Sequence, residues 1–98
     1  MYQVKFSVKA KKELQKLDKH TSKLILAWVR KNLEGTDNPW QLGKGLSENN
    51  RGQWRYRVGQ YRLIAEIQEN QMIILCIAVG QRKNIYLILI QFQNINHP

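Results

Sequence analysis

Arg55, Arg57 and Arg62, then Arg82, Lys83 and Tyr86, fall in two short stretches of the second half of the chain. Planar guanidinium groups pair bidentately with phosphate oxygens. A tyrosine stacks on a base or carries a proton. Brought together, these residues would form a site for a phosphodiester. Whether they meet depends on strand register.

Gln53-Trp54-Arg55-Tyr56-Arg57-Val58 alternates in the manner of a strand, with Arg55 and Arg57 on one face and Trp54, Tyr56 and Val58 on the other. Gly59-Gln60 is a two-residue connection with glycine first, which suits a type II′ hairpin. That turn sets Val58 opposite Tyr61 and Arg57 opposite Arg62, so Arg55, Arg57 and Arg62 share a face. Glu66 lies further along that face and can neutralise only part of its charge. A second tight turn at Glu69-Asn70 returns a third strand over residues 71–79, with Val79 expected near Gln60. Gly80-Gln81-Arg82-Lys83 then emerges beside Arg62, with Tyr86 close behind. A one-residue slip would scatter the cluster. The spacing alone also fits a second reading, in which the arginines decorate a solvated sheet face.

The elements that must hold these residues begin with a strand over residues 2–6. Ser7 can cap a helix whose apolar positions Ala10, Leu14 and Leu17 recur at helical spacing. Its other face carries Lys9, Lys11, Lys12 and Lys16. This is ordinarily a solvated face, but Lys9 and Lys12 could also track an RNA backbone. Thr21 or Ser22 offers a second cap, and Leu24, Ile25, Trp28 and Val29 form the stripe of a second helix ending near Gly35. Residues 18–20 are then the link of an antiparallel helical hairpin. Glycines and Pro39 break residues 34–52 into a loop, with Trp40, Leu42 and Leu46 able to pin it. The third strand is apolar on both faces, which suits a central position. The expected fold is α+β: an N-terminal strand and an antiparallel helical hairpin packed on a mostly antiparallel sheet of about four strands.

Size and charge agree with one domain directed at a polyanion. The chain has 98 residues and 16 Lys and Arg against 7 Asp and Glu, a net charge of +9. Nucleic acid, an acidic membrane face or an acidic protein could each supply the opposite charge. Hydrophobic residues make up 43%, too many for a disordered chain. Other chemistries lack their residues. His20 and His97 are isolated, and no His, Cys or acidic cluster has metal-ligand spacing. Gly43-Lys44-Gly45 lacks the strand-loop-helix context of a phosphate-cradling loop, and no serine elbow is present. Cys76 is the only cysteine and sits in an apolar run, where a thiol behaves as a small buried group. No metal and no small-molecule cofactor is expected. Without an apolar signal segment or membrane-length run, a cytoplasmic protein with no membrane partner is expected.

The block Gln53-Trp54-Arg55-Tyr56-Arg57-Val58-Gly59-Gln60-Tyr61-Arg62, continued by Ala65-Glu66-Ile67 and Val79-Gly80-Gln81-Arg82-Lys83-Asn84-Ile85-Tyr86, closely resembles the RelE/ParE toxin superfamily. It looks most like the RelE branch, in which such a pattern ends in Gly-x-Arg and a tyrosine. The resemblance covers residues 1–86 as one RelE-like domain of the microbial ribonuclease-type fold. It implies a toxin held inactive by a RelB-like antitoxin. Once released, it would enter the ribosome and cut messenger RNA in the A site without metal, by attack of a ribose 2′-hydroxyl on the adjacent phosphate. Carried over by position, Arg55 and Arg57 match basic strand residues that bind RNA and stabilise charge. Arg62 matches the arginine that holds the scissile phosphate, Arg82 the residue that assists the leaving oxygen, and Tyr86 the tyrosine that orients the base or activates the hydroxyl. Lys83 is a weaker RNA-binding candidate, with Lys9 and Lys12. Arginine is always protonated, so Arg55 is a poor general base; the arginines are expected to act electrostatically.

The tail departs from that pattern. Leu87-Ile88-Leu89-Ile90-Gln91-Phe92-Gln93 is apolar and uncharged, so residues 87–98 are set apart as an atypical C-terminal segment. Two rivals share the fold expectation: the ParE branch, which inhibits DNA gyrase, and a non-catalytic RNA-binding relative.

Overall fold

A computed structural model describes residues 1–46 and 52–81. The chain forms β1 (Gln3–Phe6), α1 (Val8–Lys16), α2 (Lys19–Asn32), β2 (Lys44–Gly45), β3 (Gln53–Val58), β4 (Tyr61–Gln68) and β5 (Ile73–Gln81). The strands make one sheet in the order β1-β5-β4-β3-β2. Only β1 and β5 run parallel; the other pairings are antiparallel. Both helices lie on one face of this sheet, the α+β arrangement expected from the order of elements. The expected four strands become five because β2, only two residues long, joins the edge beside β3.

Local chemistry sets the boundaries. The Ser7 hydroxyl accepts the Ala10 amide at 3.0 Å and starts α1, as expected. The cap of α2 differs from expectation: Asp18 takes that place instead of Thr21 or Ser22. Its carboxylate accepts both the Thr21 amide at 3.1 Å and the Thr21 hydroxyl at 2.5 Å, two bonds that a single hydroxyl acceptor could not match. These bonds, led by the one from the Thr21 side chain, hold the Asp18 carboxyl below the usual range. The Ser22 hydroxyl instead donates to the last-turn carbonyl of Leu14 at 2.6 Å, closing α1 against α2. The hairpin link is therefore Leu17-Asp18, and α2 starts at Lys19.

The core lies between the helices and the sheet. Ala10 and Leu14 of α1, with Ile25 and Val29 of α2 and Leu33 just beyond it, meet Tyr56, Leu63, Ala65, Ile67, Ile74 and Val79 from the strands. Ile25, Leu63 and Ile74 are fully buried, each contributing about 1.5–3 kcal/mol. No helix of the described residues is long and apolar enough to cross a membrane.

The turn between β4 and β5 also differs from the expected two-residue connection. A short 3-10 turn at Glu69–Gln71 is closed by Met72 in the left-handed region, φ 54°, so β5 begins at Ile73. A further register change follows: Ala65 pairs with Cys76 but Ile64 pairs with Ala78, leaving Ile77 as an extra residue on β5. The longer turn shifts the register by two residues and this β-bulge by one more, so Val79 stands opposite Leu63 instead of near Gln60, and Gly80 opposite Arg62.

Candidate functional site

The hairpin of β3 and β4 follows the expected register. Val58 pairs with Tyr61 and Arg57 with Arg62. Gly59 takes φ +61°, the left-handed conformation that the first turn position of a II′ hairpin demands. Arg55, Arg57 and Arg62 therefore share the sheet face that the helices do not cover. Arg57 is exposed, and its Nε donates weakly to the Gly59 carbonyl at 3.4 Å. Arg62 is half-buried and anchored through Nη1, which donates to the Tyr61 carbonyl at 3.2 Å. Glu66 lies on the same face but pairs with Gln53 and Leu75, past Ile64, and forms no ion pair with a described residue.

The sheet adds a cation that sequence reasoning missed. Lys44 of β2 stands directly across the ladder from Arg55, so it joins the arginine face. A two-residue strand carries no readable alternation. Its only available signal was a lysine flanked by Gly43 and Gly45 just before an arginine-rich strand. On that same face, Ile64 and Ala78 form a small apolar cluster with Leu46 and Ile77 packed against it.

Side chains from the buried face of β3 tie this edge in place. The Trp54 indole N–H donates to the Leu42 carbonyl at 2.6 Å, and the Tyr56 hydroxyl donates to the Pro39 carbonyl at 2.6 Å. Leu42 was expected to pin the loop by its side chain, but that side chain is 41% exposed and the backbone makes the anchor instead. Trp40 packs against the core with its ring edge-on to Tyr2 and Leu46 packs against Ile64 and Ala78, both as expected, and Pro39 beside Trp40 is fully buried. Gly43 passes over β3 with φ +78°, and any Cβ there would collide with the carbonyl oxygen of Arg55. Only glycine permits this approach, and the approach is what seats Lys44 beside Arg55.

Of the remaining candidates, Arg82, Lys83 and Tyr86 lie outside the described residues, as does the tail 87–98. The last described residue, Gln81, pairs with Tyr61, one step beyond the Arg62–Gly80 pair. Lys9 and Lys12 are exposed on α1, which belongs to the opposite layer, so the structure does not bring them onto the arginine face.

The described part of the site thus offers four cations on adjacent strands: Lys44, Arg55, Arg57 and Arg62. Such a surface can bind phosphates along a backbone and stabilise added negative charge at one of them. Among the described residues, no group of three or more His, Cys, Asp or Glu side chains could hold a metal ion. Cys76 is fully buried in the core, and burial pushes its thiol up to about 12. It has no place in the chemistry of this face.

Comparisons with known proteins agree with this architecture. The family model described as the ParE toxin of type II toxin–antitoxin systems matches residues 4–86. A putative RelE-like toxin protein of Escherichia coli is 32% identical over 82 residues, covering 84% of each chain. Among solved structures, the toxin–antitoxin complex RelBE2 of Mycobacterium tuberculosis aligns with TM-score 0.72 at 26% identity, covering 83% of this chain and 98% of that one. The isolated E. coli RelE toxin aligns with TM-score 0.65 at 19% identity, covering 93% and 97%. The archaeal RelE–RelB complex of Pyrococcus horikoshii aligns with TM-score 0.64 at 25% identity, covering 83% and 94%.

Proposed function

The chain belongs to the ParE toxin family of type II toxin–antitoxin systems, within the RelE/ParE superfamily, and on that premise we propose that it is a ribosome-dependent endonuclease of messenger RNA. The observation that carries this reading is the pairing of Arg57 with Arg62, flanked by Arg55 and Lys44, on the sheet face opposite the helices. Guanidinium and ammonium groups gathered on adjacent strands pair with phosphate oxygens, and an anionic ligand gains from each of them. A single-stranded RNA backbone supplies such an anion at every nucleotide.

In the reaction, a ribose 2′-oxygen bonds to the adjacent phosphorus and the bond to the 5′-oxygen breaks. The 2′-hydroxyl gives up a proton, the 5′-oxygen gains one, and a cyclic phosphate remains. Arg62 holds the scissile phosphate, while Arg55 and Arg57 bind the backbone and offset the charge added at the pentacovalent phosphorus. Arg82 assists the departing oxygen and Tyr86 orients the base or activates the hydroxyl. Permanently charged arginines make poor proton acceptors. Much of the acceleration therefore comes from holding the RNA in line, which the ribosomal A site can supply. The protein acts in the cytoplasm, where its partners are the ribosome with its messenger and a RelB-like antitoxin. The antitoxin partner is supported by the structural relatives, several of which are toxin complexes with RelB.

A second reading is favoured by the matching family model, which describes ParE toxins. In it the same fold inhibits DNA gyrase and the arginines serve another contact. Primer extension on a defined messenger in a purified translation system separates the two. Cuts inside the A-site codon that require ribosomes and disappear with Arg62→Ala support the endonuclease. No cut, together with lost supercoiling by purified gyrase, would replace it with the gyrase reading.

A further inference from the structure

We propose that Glu13 is a positioning residue for the arginine face: from the helical layer, it holds the β5 bulge that places a glycine across from Arg62. The inference rests on the reading of that face as an RNA site. Ile77 is the extra residue of the bulge. Beyond Phe6, β1 no longer runs beside β5, because Phe6 pairs with Cys76 and β1 ends there. The backbone groups of β5 just past that point need other partners.

The first two turns of α1 and its cap supply them. The Ser7 amide donates to the Cys76 carbonyl at 2.9 Å, and the Ser7 hydroxyl lies 3.4 Å from the Ile77 carbonyl. The Val79 amide donates to Oε1 of Glu13 at 3.1 Å. Glu13 is half-buried on the same helix as Ala10 and Leu14, which bury against the core. Its carboxylate therefore reaches the strand from a fixed base. The two sides of the bulge are gripped by one helix.

The consequence for the site follows from register. With the pairing found between Ala65 and Cys76 continued without the extra residue, Arg62 would face Val79 and Tyr61 would face Gly80. The isopropyl group of Val79 would then stand on the arginine face beside Arg62. The bulge turns Val79 into the core, where it is 3% exposed, and sets Gly80 opposite Arg62. A glycine at that position places no side chain of its own beside the guanidinium. The same shift determines which face each later residue of the strand adopts. Glu13 thus acts on Arg62 from the opposite layer of the protein, without touching RNA.

The test uses the full chain and two variants, Glu13→Ala and Glu13→Gln, since a glutamine oxygen can still accept the Val79 amide. NMR reads the register directly through the contact between the Arg62 and Gly80 backbones and through solvent exchange of the Val79 amide. Fluorescence anisotropy reads affinity for a short single-stranded RNA with 2′-O-methyl groups, which cannot be cleaved. All measurements are made well below the unfolding midpoint of the least stable variant, where lost stability alone would not change the affinity of folded protein. Glu13→Ala is expected to lose the Arg62–Gly80 contact, expose the Val79 amide and bind about tenfold more weakly, the loss expected for about one contact. Glu13→Gln is expected to restore all three. An alanine variant that keeps the Arg62–Gly80 contact and wild-type affinity overturns the proposal, as does a glutamine variant that fails to restore them. If wild type itself binds no RNA, the functional reading fails, while the NMR arm still decides whether Glu13 sets the register.

Discussion

Lys44 stands directly across the β2–β3 ladder from Arg55, and one step along the same face Arg57 stands across from Arg62. Arg57 is the exposed member of its pair, and its Nε donates to the Gly59 carbonyl at 3.4 Å. Arg57→Gln removes one charge from this face and is expected to lower affinity for single-stranded RNA. As an exposed substitution it should change the unfolding free energy by less than about 0.5 kcal/mol in urea denaturation. Wild-type affinity in the folded variant would show that the RNA does not use Arg57.

Gly43 and Gly59 both have positive φ, but their surroundings differ, and the difference predicts two outcomes from one kind of substitution. At Gly59, φ +61°, an added Cβ meets nothing within 4 Å. Gly59→Ala should cost only the positive-φ strain, about 1–2 kcal/mol. At Gly43, φ +78°, the same methyl collides with the Arg55 carbonyl as well. Gly43→Ala should cost more than Gly59→Ala in thermal or urea unfolding, and should also detach β2. The check on that second effect is cross-strand NMR contacts between Lys44 and Arg55, present in the Gly59 variant and absent in the Gly43 variant.

The contrast between these two glycines also marks what the sequence could reveal. The β3–β4 hairpin was legible because its turn chemistry is local: glycine first in a two-residue loop sets the register of Arg57 and Arg62 by itself. Ser7 was legible as a cap for the same reason. The place of Lys44 depends on contacts made far along the chain, by Trp54, Tyr56 and the Arg55 carbonyl, and no pattern in two residues reports them. The β5 bulge is similar. An unbroken run of apolar residues such as Ile73 to Val79 looks alike in every register, and the extra residue is accommodated by Ser7 and Glu13, some 70 positions earlier. Asp18 was overlooked as a cap because Thr21 and Ser22 fit the same local rule, and only the paired hydrogen bonds to Thr21 separate them.

Burial of Tyr56 and Cys76 gives the fold an alkaline limit. Both side chains are fully buried, and desolvation raises both pKa values: Cys76 from 9.0 to about 12, and Tyr56 from 10.0 to higher still. The folded state keeps these protons at pH values where the unfolded chain has begun to lose them, so unfolding releases protons. Their contribution to stability is complete below about pH 9 and falls as pH rises through the range between the unfolded and folded values. Urea midpoints should decline from about pH 9 upward, and Cys76→Ser should flatten the onset of that decline, since the thiol is the first of the two to titrate in the unfolded chain. A midpoint unchanged up to pH 11 would mean that these groups ionise equally in both states. Alkylation of Cys76 at neutral pH should likewise follow global unfolding, with no reaction of the folded protein.

Which cations touch the RNA backbone can be read from salt dependence. Each phosphate neutralised on a single strand contributes about −0.7 to the slope of log affinity against log salt. Lys44 lies on the arginine face, so Lys44→Ala should reduce the magnitude of the slope by about 0.7 and weaken binding without regard to sequence. Lys31, exposed in the last turn of α2 on the other layer, supplies the comparison: Lys31→Ala lowers the net charge by the same amount but should leave the slope at its wild-type value. Equal changes in the two variants would show that RNA responds to the net charge of the protein and not to this face. A change confined to Lys44 would place the backbone across β2 and β3, next to Arg55, and so fix the direction in which the strand approaches Arg62.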